Sequence, residues 1–296
     1  MYKLKSNTFV GTFPFNENYH FVNGFQMHYV DEGSGDPVVL VHGDPMWGYL
    51  YRKFIPVLSR KSRCIVPDHM GMGKSGINQD LFPFVMRHHI DNFESLMLFL
   101  DLTNITLVIH DWGGPVGLGF GIRHPERIKR LVVMNSWAFA PWPGGALPRL
   151  IEVVRSEKGP KFVMEKNGYL ESAIRGGVMC HENLNESVMN AYRAPFPTTE
   201  SRRTLVCWSR DIATTEEDTS WLEMKRIENA MGVFSTIPVL LIWGMKDLVL
   251  PEAALRLWMN KFPNAQVYKI VEAGHFLQED APENVISCIE EFIEKH

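Results

Sequence analysis

The chain has 296 residues, 45% of them hydrophobic and 22% charged, with a formal net charge of −4 at pH 7. That is enough for one large domain or two small ones, in the composition range of a soluble globular protein. The slight acidity, with no Lys/Arg run and no membrane-length apolar run, argues against nucleic acid, an anionic membrane surface or a membrane span.

The start, Met1 to Phe9, lacks the apolar h-region of a signal peptide. Tyr19–Val22 and Phe25–Val30 flank Asn23-Gly24, a strong hairpin signal. Val38–Val41 is a short buried strand that enters a loop at His42-Gly-Asp-Pro45. Trp47–Leu58 has apolar positions on one face and predicts a helix, and Cys64–Val66 another strand. Phe93–Leu102 predicts an apolar-rich helix, Ile105–Ile109 a buried strand, and Ile128–Met134 the next one. From Trp137 to Ala230 there are helical segments and turns but no convincing strand. Such a length is too great for a simple loop and predicts a helical insertion. Alternation resumes with a strand at Val239–Trp243, a helix at Pro251–Asn260, a strand at Gln266–Val271 and a closing helix at Val285–Glu294. This order predicts an α/β fold: a mostly parallel sheet covered on both faces, with a core of residues 1–136 and 231–296 and a helical cap of residues 137–230. Cys64, Cys180, Cys207 and Cys288 show no paired spacing and read as reduced thiols of a cytoplasmic protein, not a disulfide framework or a zinc site.

The chemistry concentrates at strand ends. The strand from Ile105 breaks at His110-Asp-Trp-Gly-Gly114, and a helix can follow. Strand, sharp turn and helix with a reactive residue at the apex form a nucleophile elbow, here with Asp111 in place of Ser or Cys. A carboxylate can attack carbon and become an ester. Alone, Asp111 reads better as a helix N-cap. Asp247 follows a later strand, in Gly244-Met-Lys-Asp247, and His275 follows the last, in Ala273-Gly-His-Phe276. Alone, these are a turn residue and a core histidine. Together the three have the nucleophile–acid–histidine order of a triad. In it His275 would activate water as general base, Asp247 would orient the imidazole, and backbone N–H groups of Trp112 and near Asp44 would form an oxyanion hole.

These stretches, with Pro67-Asp-His-Met-Gly-Met-Gly-Lys-Ser75, His124-Pro-Glu-Arg-Ile128 and Ala194-Pro-Phe-Pro197, resemble the haloalkane dehalogenases of the α/β-hydrolase superfamily. The resemblance covers nearly the whole chain and is weakest from Pro141 to Gly177. It implies an α/β-hydrolase fold and hydrolytic dehalogenation through an aspartyl ester, with Asp111 as nucleophile, His275 as base and Asp247 as acid. It also implies halide held by the Trp112 indole, with Trp137 and Trp208 as candidate pocket residues. No cofactor and no metal are expected, and the partner is a small apolar substrate of a monomer or small homo-oligomer.

One position departs from the family. Many relatives carry Asn where this chain has Asp44, which is no donor when ionised and would oppose a departing halide beside Asp111. The β-lactone decarboxylases of olefin biosynthesis, which the same motifs resemble, are therefore the alternative. An epoxide hydrolase would need two cap tyrosines, for which Tyr169 and Tyr192 are candidates. A ligand-binding pseudohydrolase usually lacks a triad residue, and none is missing here. Gly71-Met-Gly-Lys-Ser-Gly76 matches G-x-G-x-x-G, but no helix follows directly, so it reads as a tight loop.

Overall fold

The computed structural model describes residue 9 and residues 11–143 and 148–296, so the expectation drawn from Met1 to Phe9 lies almost wholly outside the described residues. Eight strands form one sheet: β1 (Asn18–Val22), β2 (Phe25–Gly33), β3 (Pro37–Val41), β4 (Arg63–Pro67), β5 (Ile105–Asp111), β6 (Ile128–Ser136), β7 (Val239–Gly244) and β8 (Gln266–Ile270). Their order is β1-β2-β4-β3-β5-β6-β7-β8. β1 and β2 are antiparallel to their neighbours, and every pairing from β4 to β8 is parallel. Val22 pairs with Phe25 across Asn23 and Gly24, both at positive φ (43° and 82°). That is the two-residue turn whose twist suits a hairpin. β3, β5 and β7 are buried along their whole length, which is why they read as continuous Val/Ile/Leu runs. β1 and β8 are the edge strands, and on β8 Val267 and Tyr268 are partly exposed.

The helices are α1 (Ile55–Leu58), α2 (Met86–Phe99), α3 (Gly113–Arg123), α4 (Arg149–Arg155), α5 (Gly168–Gly177), α6 (Glu186–Arg193), α7 (Arg203–Arg210), α8 (Trp221–Ala230), α9 (Glu252–Lys261), α10 (Leu277–Asp280) and α11 (Pro282–Lys295). Five of them, α4 to α8, lie between β6 and β7, and the described residues there contain no strand. The helical insertion after the sixth strand is therefore present.

Two helix expectations need correction. Trp47–Leu58 is not one helix but a 3-10 turn at Gly48–Tyr51 followed by α1. Pro56 explains the break, since its ring excludes the carbonyl of Arg52 and it has no N–H to donate. The helix expected at Phe93–Leu102 begins at Met86 and ends at Phe99. Gly71 to Gly76 is loop, closed by a Gly71 N–H to Gly76 carbonyl bond of 2.9 Å. It is pinned by Asp68, which accepts from the backbone N–H of Gly48 and Lys74 and from His28.

A buried ion cluster ties insertion to core. Glu279 on α10 accepts from both terminal nitrogens of Arg52 (2.5 and 2.9 Å) and from the Tyr192 hydroxyl of α6. Such a pair tolerates burial because each charge finds a matched partner. No helix among the described residues is long and apolar enough to cross a membrane.

Candidate active site

Asp111 ends β5 with φ at +50°, a left-handed conformation that costs a non-glycine residue about 1–3 kcal/mol. The Ser136 hydroxyl donates to the Asp111 carbonyl at 2.6 Å, and the β5/β6 register shifts between His110 and Asp111, so the neighbouring strand holds the bend. The N-cap of α3 is Trp112, with no side-chain cap bond. The Asp111 carboxylate is therefore not engaged in capping, contrary to the helix-cap reading. It stands just before the helix N-terminus, whose partial positive charge favours an anion.

The β3 loop meets it from the other side. The Asp44 N–H donates to Asp111 Oδ1 at 2.9 Å. Gly43 allows this approach: a Cβ there would lie 2.1 Å from Asp111 Oδ1 and 2.5 Å from its Cβ. Gly43→Ala should consequently lower kcat/KM by about 100-fold, because reacting groups displaced by an ångström lose alignment. Unchanged kinetics in a folded variant would refute this close packing. His42 fixes the loop, donating from Nδ1 to the Gly43 carbonyl (3.0 Å) and accepting the His69 N–H at Nε2 (3.1 Å).

Beyond β7, Asp247 is buried and fully engaged. Oδ2 accepts from His275 Nδ1 (2.8 Å) and Asn135 Nδ2 (2.7 Å), and Oδ1 from the N–H groups of Val249 and Leu250 (2.7 and 3.0 Å). Burial raises its pKa, but the facing imidazole and these donors outweigh that and hold it below the usual value. His275 Nε2 stands 3.5 Å from Asp111 Oδ2, so the ring bridges the two carboxylates. Burial disfavours its charge, yet Asp247 and Asp111 together raise its pKa to about 10. His110 Nε2 donates to the His275 carbonyl at 2.8 Å and fixes the backbone behind the ring. Burial, with the neighbouring His275, lowers the pKa of His110 to about 4, so it stays neutral.

Asp111 and His275 face a small cavity of ≈ 70 Å³, with Asp247 behind the imidazole. Its apolar wall includes Trp112, Trp137, Trp142 and Phe276, and its polar wall Asp44 and Tyr169. Trp112 packs edge-on against Trp137 and Trp208, each with ring centroids 5.0 Å apart. The indole N–H groups of Trp137 and Trp142 are buried without an acceptor. Trp208 is not on the cavity wall. It stands behind Trp112, stacked on His89 at 3.8 Å.

Asp44 carries the arrangement least expected from sequence. The Tyr169 hydroxyl of α5 donates to its Oδ2, while Oδ1 is buried with no partner. Burial drives its pKa well above the usual carboxylate value; the Tyr169 bond opposes this and the charge on Asp111 adds to it. Tyr192, the other tyrosine an epoxide hydrolase would need, is taken up by Glu279 and is not on the wall. Sequence reasoning missed Asn135 altogether. Nothing along the chain signals its role; in the structure it stands at the end of β6 with a φ of 30°, a conformation Asn tolerates. Among the described residues no cluster of His, Cys, Asp or Glu is suited to a metal ion.

Comparison with known proteins agrees with this fold. A family profile described as alpha/beta hydrolase fold matches residues 36–282. The chain is 35% identical to a cis-3-alkyl-4-alkyloxetan-2-one decarboxylase of Shewanella oneidensis, over 95% of this chain and 89% of that protein. It is 31% identical to a haloalkane dehalogenase of Sphingobium indicum, over 97% and 98% of the two chains. The solved structure of the haloalkane dehalogenase DatA from Agrobacterium tumefaciens C58 superposes with a TM-score of 0.85 at 25% identity, covering 95% of this chain and 96% of that one.

Proposed function

The chain belongs to the alpha/beta hydrolase fold family, and from that premise we propose that Asp111 attacks carbon in a small apolar substrate to give an aspartyl ester, the substrate being a cis-3-alkyl-4-alkyloxetan-2-one and the product an alkene. Asp111 attacks the alkyl-bearing ring carbon bonded to the ring oxygen, not the carbonyl carbon. That carbon–oxygen bond breaks, its electron pair leaving with the oxygen, which becomes part of a carboxylate. The bond from the neighbouring carbon to that carboxylate then breaks. Its electron pair forms the double bond, carbon dioxide departs, and the ester bond pair returns to Asp111. Water, oxidant and metal are not consumed. His275, held by Asp247, which Asn135 fixes in turn, faces Asp111 as an imidazolium and eases the return of negative charge to it. We place the cap at residues 137–230, since α5 supplies Tyr169 to the cavity from within it.

The observation that carries the choice of lactone over halide is similarity: two decarboxylase relatives stand at 35% and 32% identity, the dehalogenase relative of Sphingobium indicum at 31%. A carboxyl bonded by Tyr169 stands at the loop position where many dehalogenases carry Asn.

The second reading is haloalkane hydrolysis, favoured by Trp112 and Trp137, whose donor-only indoles suit a weakly hydrated anion. There the ester would be cleaved by water deprotonated by His275, the oxyanion resting on backbone N–H groups of Asp44 and Trp112. A paired assay separates the readings: alkene from a cis-3,4-dialkyloxetan-2-one by gas chromatography, and halide from a 1-bromoalkane. Alkene without halide supports the lactone reading, and halide without alkene reverses it. Neither product would leave a ligand-binding role.

A further inference from the structure

We infer that Asp44 and Tyr169 form a neutral carboxyl–phenol pair that donates one hydrogen bond into the cavity, from Asp44 Oδ1 to the oxygen that leaves carbon. The inference rests on the reading of Asp111 as the attacking group. Three observations carry it.

The first is the hydrogen-bond inventory. Asp44 is 5% exposed; its Oδ2 accepts from the Tyr169 hydroxyl and its Oδ1 has no partner. An ionised carboxylate offers acceptors only and, once buried, needs several donors, as Asp247 has. Asp44 has one. As a neutral acid its needs are nearly met, with an acceptor for the phenol and a single O–H for whatever enters the cavity.

The second is charge. The Asp44 main-chain N–H already serves the Asp111 carboxylate, and among the described residues no Lys or Arg lines the cavity. His275 is the cation there, and it bridges Asp111 and Asp247. A third buried negative charge would have no counter-ion, and its pKa moves in the matching direction.

The third is proton placement. Because Tyr169 fills Oδ2 with a donor, the acid proton belongs on Oδ1. Asp44 then presents the same pattern as an amide, acceptor to the phenol and donor to the cavity. The sequence-based objection to Asp44, that it would repel a departing anion, holds only for the ionised form. When the ring carbon–oxygen bond breaks, negative charge develops on the departing oxygen and the Oδ1–H group stabilises it. The proton stays on Asp44, because the carboxylate must remain ionised to lose carbon dioxide.

The test uses the full-length protein with a cis-3,4-dialkyloxetan-2-one and alkene detection, plus infrared difference spectra at pH 7. Asp44→Asn keeps the donor–acceptor pattern and should retain kcat/KM within about 10-fold. Asp44→Leu removes the donor and should lose roughly 100- to 1,000-fold, the range for a single donor to developing negative charge. The wild-type minus Asp44→Asn spectrum should show the carbonyl stretch of a protonated carboxylic acid, and Tyr169→Phe should shift that band. An Asp44→Asn variant that is folded but inactive would show that the charge is required and overturn the proposal. So would an active Asp44→Leu variant, or absence of the acid band. If Asp44→Leu does not fold, the Asn variant and the band still decide. Activity surviving in Asp111→Asn would refute the Asp111 reading instead, and leave the band result standing.

Discussion

Asp111→Asn should lower turnover of lactone and haloalkane alike by at least roughly 10⁴-fold, on the scale set by removing catalytic residues that act as a unit. The substitution changes two atoms' chemistry and almost nothing else. Asn tolerates the +50° φ of this position as well as any non-glycine residue, so the elbow keeps its shape. Its side-chain oxygen can still accept the Asp44 N–H, and the Ser136 bond to the carbonyl is untouched. What disappears is the anionic oxygen able to form a bond to carbon. One of the two carboxylates facing His275 also becomes neutral, so the imidazolium should titrate below its wild-type value of about 10. Unchanged thermal unfolding with lost activity is the expected pair of results. A folded variant retaining a tenth of wild-type activity would mean that Asp111 positions substrate rather than attacks it.

The parts of this site that were legible in the sequence are those whose cause is local. Asn23-Gly24 announces its hairpin through two residues able to adopt positive φ. Ile105 to Ile109 announces a buried strand through its side chains, and the break at Asp111-Trp112-Gly113 announces the elbow. Asp247 and His275 were found because each follows a strand directly. Asn135 was not, although it bonds Asp247 from the end of β6, because its role exists only through the adjacency of β6 and β7. Tyr169 stood among the candidates for a different chemistry. Nothing in its neighbours along the chain says that α5 will place it against a residue 125 positions earlier. Trp208 stands one ring behind the cavity wall, a distinction of a few ångströms that spacing cannot express. Pro56 is a local signal that the apolar pattern of Trp47–Leu58 conceals, and the chain runs as turn between Tyr51 and Ile55.

His275→Gln should stall the reaction after the ester forms, with kcat lowered about 10²- to 10⁴-fold, the usual contribution of a positioned proton-transfer group. The reason lies in how the charge on His275 depends on Asp111. In the free protein two carboxylates keep the ring protonated, with a pKa near 10. Once Asp111 is an ester, one of those charges is gone, while Asp247 remains paired through Nδ1. The ring is then far easier to deprotonate, at the step where a haloalkane ester needs a base for water. For a lactone the same ring has a different use, because no water is deprotonated and its charge assists the departure of Asp111. Either way Gln supplies neither a base nor a cation, so intact protein should gain mass on an Asp111 peptide. The added mass is an alkyl group from a haloalkane, or the whole lactone from an oxetanone. Loss of activity with no adduct at Asp111 would place His275 before bond formation and contradict this order. The lactone route makes one further demand. Since kcat/KM reports the free protein, it should fall as pH rises through about 10, where His275 loses the proton that the departing carboxylate requires.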